Sequence, residues 1–214
     1  MFYIFNELSD STKRRLSKEI NVITKTYPKD TIIFNEGDYC KSICFVKKGR
    51  IIVKNIFTDG HEIIVKQLEH NDSFGEGLVF SNCSNYKGTF IAVENVELKM
   101  ITKEDLIHLI DLNTQVALNI FNHLNEQSCM HMEHIKLLSL KKVSSKVASF
   151  FYLKYKELGK EFNISFNKTE IAQYLNIERP TFSKELNYLI KSNIIGYNHK
   201  RYEIKNPDLL IERI

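Results

Sequence analysis

At 214 residues the chain is long enough for one large domain or two small ones. Hydrophobic residues make up 43% and charged residues 26%, an ordinary soluble-globular balance, and no apolar run approaches the roughly 20 residues that a membrane-spanning helix needs. The net charge of +4 conceals an asymmetry: from Leu140 onward 14 Lys and Arg stand against 8 Asp and Glu, whereas the first 139 residues carry 16 against 18.

A cationic final third suits an approach to phosphates. The N-terminus, Met1 to Glu7, has no basic region before its apolar patch, so no signal peptide is expected. Cys40, Cys44, Cys83 and Cys129 are scattered and form no disulfide framework, which points to a reduced cytoplasm.

In chain order, Ser9-Asp10-Ser11-Thr12 opens a short amphipathic helix carrying Leu16 and Ile20. Short β-rich runs follow at 22–24, 31–34, 42–46, 51–53, 62–65, 89–93 and 96–100. Turn residues separate them, among them Asn35-Glu36-Gly37-Asp38, Lys48-Gly49-Arg50, and Asp59-Gly60 as a hairpin signal. Strands so short and evenly punctuated predict an antiparallel sandwich or jelly roll.

At Thr102 the texture turns helical. Thr102 is placed to cap, with Asp105 three residues on as an acidic variant of the capping box. Helical pattern then runs to about Leu138 without proline or glycine. Within it Ala117, Phe121, Leu124, Ser128, His131, Ile135 and Leu138 follow alternating steps of four and three, a seam of about three heptads. So narrow a seam predicts pairing with a second copy of the helix, giving a symmetric homodimer. The alternative is one long helix lying across its own β domain.

A further helix is expected over 140–158, ended by Gly159, and a short strand over 163–166. Residues 167–186 then read as two short helices with a break at Asn176-Ile177. Ile171, Ala172 and Leu175 give the first an apolar face, and Phe182, Leu186, Leu189 and Ile190 give the second its buried stripe. Pro180 sits in a first helical turn, where proline is tolerated. Arg179, Thr181, Ser183, Lys184 and Asn187 are left on the outer face, a set suited to a major groove. Residues 194–204 read as a β-hairpin with a basic tip, which makes the unit a winged helix-turn-helix; Asn206 caps a last short helix.

This order resembles the Crp/Fnr family of bacterial transcription regulators over nearly the whole chain. Asn35 to Asp38 resembles the turn after the second roll strand. Asp72-Ser73-Phe74-Gly75-Glu76 resembles the family's phosphate-binding cassette, and Asn176 to Leu186 its recognition helix. The resemblance implies an α+β protein of two domains. An antiparallel β jelly roll with flanking helices spans 1–113, a dimerisation helix and hinge 114–139, and a winged helix-turn-helix 140–214. It implies a homodimer on a two-fold DNA site that recruits or blocks RNA polymerase, with half-sites about 34 Å apart. Arg179, Ser183 and Lys184 fall on positions that relatives use for bases or phosphates, and Thr181 on a phosphate position. Pro180 stands where many relatives carry a glutamate that reads cytosine, so an atypical operator is expected. The full candidate DNA-contact set is Lys168, Thr169, Arg179, Pro180, Thr181, Ser183, Lys184, Lys200 and Arg201.

The candidate effector pocket comprises Gly75, Glu76, Lys87, Thr89, Ser128 and His131. In nucleotide-binding relatives a glutamate after the cassette glycine takes the ribose hydroxyl, and Glu76 is in place. An arginine-containing segment further on holds the cyclic phosphate; the matching stretch here, Tyr86-Lys87-Gly88-Thr89, has none. A lysine lacks the bidentate fork of arginine, so control by cyclic AMP is not expected. The alternatives are a regulator without an effector, or a cyclic-nucleotide-responsive one. Family members with an iron–sulfur cluster carry an N-terminal cysteine group, whereas the first cysteine here is Cys40. Cys40 and Cys44 are expected to be buried apolar thiols, so no metal or cofactor is assigned. His131 has two readings: a polar seam residue that fixes register, or a haem ligand or proton switch. No nucleophile–base pair, P-loop, dinucleotide fingerprint or zinc-protease motif is present, so the reading is not an enzyme.

Overall fold

The computed structural model describes residues 2–198 and 201–214. The chain divides into two compact units, Met1–Cys129 and Met130–Ile214.

The first unit opens with a 3-10 turn, Tyr3–Phe5, and helix α1, Asp10–Leu16. The Ser9 side chain accepts from the Thr12 amide and starts α1 as its sequence predicts. The strands are β1 (Ile23–Tyr27), β2 (Ile32–Phe34), β3 (Ser42–Lys48), β4 (Ile51–Ile56), β5 (Glu62–Leu68), β6 (Ser73–Phe74), β7 (Thr89–Ala92) and β8 (Val96–Thr102). Among the described residues they form two four-stranded antiparallel sheets, ordered β1-β8-β3-β6 and β2-β7-β4-β5. This is the jelly roll that the punctuated runs predict. The Asp59-Gly60 turn closes the β4–β5 hairpin, with Phe57 N–H donating to His61 C=O at 2.8 Å.

An aromatic cluster fills the roll. Phe34 stacks on Tyr86 and Phe74 on Phe90, both at 4.6 Å between ring centroids. Cys40 and Cys44 are buried against this core, and burial pushes the Cys44 thiol up to about 12. Such a thiol stays protonated and behaves as a small hydrophobe.

The cassette is a tight corner that sequence periodicity does not reveal. β6 is only two residues long, and the one-turn helix α2, Glu76–Val79, follows directly. Gly75 makes the corner with φ +98°, and a Cβ there would lie 2.7 Å from the Ser42 carbonyl oxygen. Only glycine satisfies both the left-handed backbone and that approach.

Helix α3, Lys103–Leu112, is capped as expected, with Thr102 Oγ1 accepting from the Asp105 amide. The single helical pattern inferred from 102 to 138 is in fact two helices. Asn113 is extended (φ −159°, ψ 111°), and α4, Gln115–Ser139, begins after it. Asn113 Oδ1 accepts from the Gln115 amide, which offers the backbone a turn in place of a continuing helix. Asn119 on α4 is buried and donates to the carbonyls of Ile4 and Asn6, so the N-terminal turn is tied to this helix.

In the second unit α5 spans Val143–Leu158, starting three residues later than expected, and Gly159 ends it. The strand expected over 163–166 lies earlier, as β9, Glu161–Asn163. Its register explains the shift: Phe162 pairs with Tyr202, whereas Ile164 and Phe166 are buried in the lead-in to the next helix. The remaining elements are α6 (Lys168–Tyr174), α7 (Arg179–Lys191), β10 (Ile195–Asn198), β11 (Arg201–Ile204) and α8 (Pro207–Ile211). The sheet order β10-β11-β9 places the hairpin as a wing beside the two helices.

Candidate nucleic-acid interface and sensing site

The two helices of the reading head end differently. At the start of α6, Asn167 Oδ1 accepts from the amides of Thr169 and Glu170, while Glu170 accepts from the Asn167 amide. This capping box closes that terminus. Asn176 then adopts φ +50°, and Ile177 N–H reaches back to Ala172 C=O at 3.0 Å. That is a Schellman ending with asparagine in the left-handed position, the physical content of the break in the sequence. At the start of α7 the Glu178 side chain makes no capping bond, and Pro180 lies in the first turn. Pro180 has no N–H and the Phe182 N–H donates to the Glu178 carbonyl, so the Arg179 and Thr181 amides are what that turn offers an anion.

Phe182, Leu186 and Leu189 are buried and fix the rotation of α7. Arg179, Pro180, Lys184 and Asn187 are therefore exposed, with Thr181 and Ser183 half-buried beside them. Arg213 holds α8 to the far end of α7, 3.3 Å from Glu185 and over the Tyr188 ring at 4.1 Å. The other expected DNA contacts differ in surroundings. Thr169 is exposed on the first turn of α6. Lys168 is half-buried with its ammonium 4.9 Å from the Tyr197 ring, a cation–π contact that couples α6 to the wing. Arg201 pairs with Glu161, so a phosphate must compete with a carboxylate for it. Lys200 lies outside the described residues.

On α4 the exposed apolar stripe is rotated from the expected seam. Leu118 (54% exposed), Phe121 (63%), Met132 (55%) and Ile135 (57%) face outward together with Ser128 and His131. Ala117, Leu124 and Leu138 are only half-buried, and Leu124 packs against the roll core. The spacing 118, 121, 125, 128, 132, 135 is also three and four. Phe121, Ser128, His131 and Ile135 belong to both the expected seam and the exposed stripe.

Near the end of α4, His134 stacks flat on Tyr174 of α6, with centroids 3.9 Å apart, and its Nε2–H donates to the Tyr174 carbonyl. Burial lowers its pKa below the ordinary value near 6.5, against the opposing effect of that hydrogen bond. The neutral form is thus favoured in the folded unit. As pH falls through about 6.5, the unfolded chain takes up the proton first and stability is lost. Urea midpoints should drop between pH 7.5 and 5.5 in the wild type and drop less in His134→Phe. Equal drops would remove His134 as the cause.

In the roll, Glu76 is 5% exposed and faces inward. Its Oε1 lies 3.5 Å from His123 Nε2 on α4, and the same nitrogen is 3.1 Å from Ser73 Oγ. Tyr3 stacks on the His123 ring at 4.0 Å, and burial, with Glu76 close by, raises its phenol pKa. Lys66 donates to Gln127 on α4; burial lowers its pKa, while Glu76 and Asp72 pull it back up. Of the expected effector residues, Gly75 and Glu76 are therefore adjacent to an internal polar cluster. Thr89 is buried in β7, Lys87 is exposed, and Ser128 and His131 are exposed on α4. No group of three or more potential metal ligands occurs among the described residues.

A cyclic nucleotide-binding domain model matches residues 24–113, and a Crp-like helix-turn-helix domain model matches residues 145–213. The chain belongs to the Crp/Fnr family. It is 23% identical to a global nitrogen regulator from Synechocystis, covering 94% of this chain and 92% of that one. It is 25% identical to a fumarate and nitrate reduction regulatory protein from Yersinia pestis, over 90% and 79% of the two chains. Its fold is that of CooA from Carboxydothermus hydrogenoformans, with a TM-score of 0.80, 20% identity and coverage of 99% and 95%. The chain is a DNA-binding transcription regulator of the Crp/Fnr type, not an enzyme.

In this Crp/Fnr chain the sequence reading missed Tyr3, Lys66, His123 and Gln127. Lys66 did carry a signal: on β5 it stands two residues from Leu68, which is fully buried in the roll core, and opposite the buried Val53. Tyr3 and His123 carried none, because 120 positions separate two rings that only folding brings together.

Proposed function

We propose that this regulator works in the cytoplasm as a homodimer on a two-fold operator, without control by cyclic AMP. Residues 1–113 form the sensing roll, 114–139 the dimerisation helix and hinge, and 140–214 the DNA-binding unit. Bound at its operator, it recruits or blocks RNA polymerase. Pairing through α4 is supported by its exposed stripe of Leu118, Phe121, Met132 and Ile135, which a symmetric copy covers. Arg179, Thr181, Ser183 and Lys184 carry the reading of DNA, with Lys168, Thr169, Lys200 and Arg201 in reserve for phosphates and Pro180 shaping the contact.

The observation that carries independence from cyclic AMP is the stretch from Tyr86 to Thr89, which offers a cyclic phosphate one exposed lysine and no arginine. Titration calorimetry with cyclic AMP and cyclic GMP should show no heat of binding at micromolar ligand. Micromolar affinity for either nucleotide would overturn this reading.

A further inference from the structure

A concavity lies away from the cassette, between α1 and the β3–β8 face of the roll. It has a volume of about 490 Å³, within the roughly 300–1,000 Å³ usual for small-molecule sites. Its floor is aromatic. Phe5 and Phe45 are each 4% exposed, and Phe2 packs on Phe45 with ring centroids 4.4 Å apart. The surroundings of the floor are cationic: Lys13 and Arg14 project from α1, Lys47 from β3 and Lys99 from β8. Asp10 is the one carboxylate in the lining among the described residues, so four cations stand against one acid. None of the four makes an ion pair among the described residues.

Four like charges around one apolar floor repel one another and are relieved by an anion. An inorganic anion alone leaves the remaining exposed face of Phe2 uncovered, and a neutral apolar molecule leaves the cations unrelieved. We propose that this cavity binds a small organic anion with an apolar body, its carboxylate, sulfonate or phosphate held by the lysines and Arg14 and its body laid on Phe2, Phe5 and Phe45. The site is separate from the Glu76 cluster and does not depend on whether that cluster takes a nucleotide. The wall is nonetheless shared: Tyr3, which stacks on His123, also packs against Phe45 at 5.7 Å.

The test uses 1-anilinonaphthalene-8-sulfonate as probe, with N-phenyl-1-naphthylamine as the same body lacking the charge. Fluorescence titration of the full chain should give one sulfonate site per chain. Combining Lys47→Glu with Lys99→Glu should weaken the sulfonate by about tenfold or more and leave the neutral probe nearly unchanged. Lys47 is exposed and Lys99 half-buried, and circular dichroism checks that the variant folds. In the wild type, bound sulfonate should also slow acetylation of Lys47 and Lys99, read by mass spectrometry, but not that of Lys154. Absence of sulfonate binding overturns the proposal. So does equal sulfonate affinity in the charge variant, the result expected if the probe sat on the apolar stripe of α4. Unprotected Lys47 and Lys99 overturn it as well.

Discussion

Phe121→Glu combined with Ile135→Glu should leave a folded chain that sediments as a monomer at concentrations where the wild type is expected to sediment as the proposed dimer. Both side chains are more than half exposed in one chain, so neither substitution disturbs the core. In the pair, each side chain of the stripe still has about half its surface to bury, worth on the order of 1 kcal/mol apiece at the usual value for apolar burial. A two-fold axis doubles every such interaction. A glutamate near that axis meets its own copy, and two like charges brought together in a poorly solvated seam oppose association. Operator affinity should fall further than the monomer's own interactions with DNA explain. Linking two half-site interactions contributes roughly 10²–10⁴-fold in effective affinity, which a monomer forfeits. Sedimentation velocity and fluorescence anisotropy on one sample measure both effects. A double variant that remains dimeric would remove α4 as the pairing element.

Arg179→Ala should weaken operator binding by roughly 1–3 kcal/mol and relax preference at a single base pair. The guanidinium is exposed on the first turn of α7, where the rotation set by Phe182 and Leu186 aims the helix face outward. Arginine gives two parallel hydrogen bonds to a guanine edge, and alanine gives none. Lys184→Ala provides the contrast. Removing a phosphate-binding ammonium there should weaken all sequences about equally and lower the salt slope by about one. Anisotropy titrations at several salt concentrations, against operator and scrambled duplex, separate the two. Unaltered affinity and selectivity in Arg179→Ala would move base reading to other residues of the face.

The reading head was largely legible because its signals are local. Asn176 at the break, Pro180 in the first turn and the Phe182–Leu186–Leu189 stripe each act within a few residues, and each appears as expected. The roll strands were legible for the same reason, since alternation and turn residues are short-range. Where boundaries moved, a partner moved them. β9 sits where Phe162 meets Tyr202, and the helical run from 102 broke where the Asn113 side chain binds the Gln115 amide.

The chain's sequence by itself determined most of the elements, their order and the outward face of α7, because helix caps, turn residues and the periodicities of 3.6 and 2 are properties of short segments. Tertiary structure alone decided two other matters. It half-buried Leu124 against the roll and left Leu118 and Phe121 exposed on α4. It also engaged Glu76 with His123 beside Tyr3 and Lys66, and set Phe2, Phe45, Lys47 and Lys99 around one cavity. Those groupings join residues tens of positions apart, and no periodicity in a single chain encodes which distant side chains will share a space.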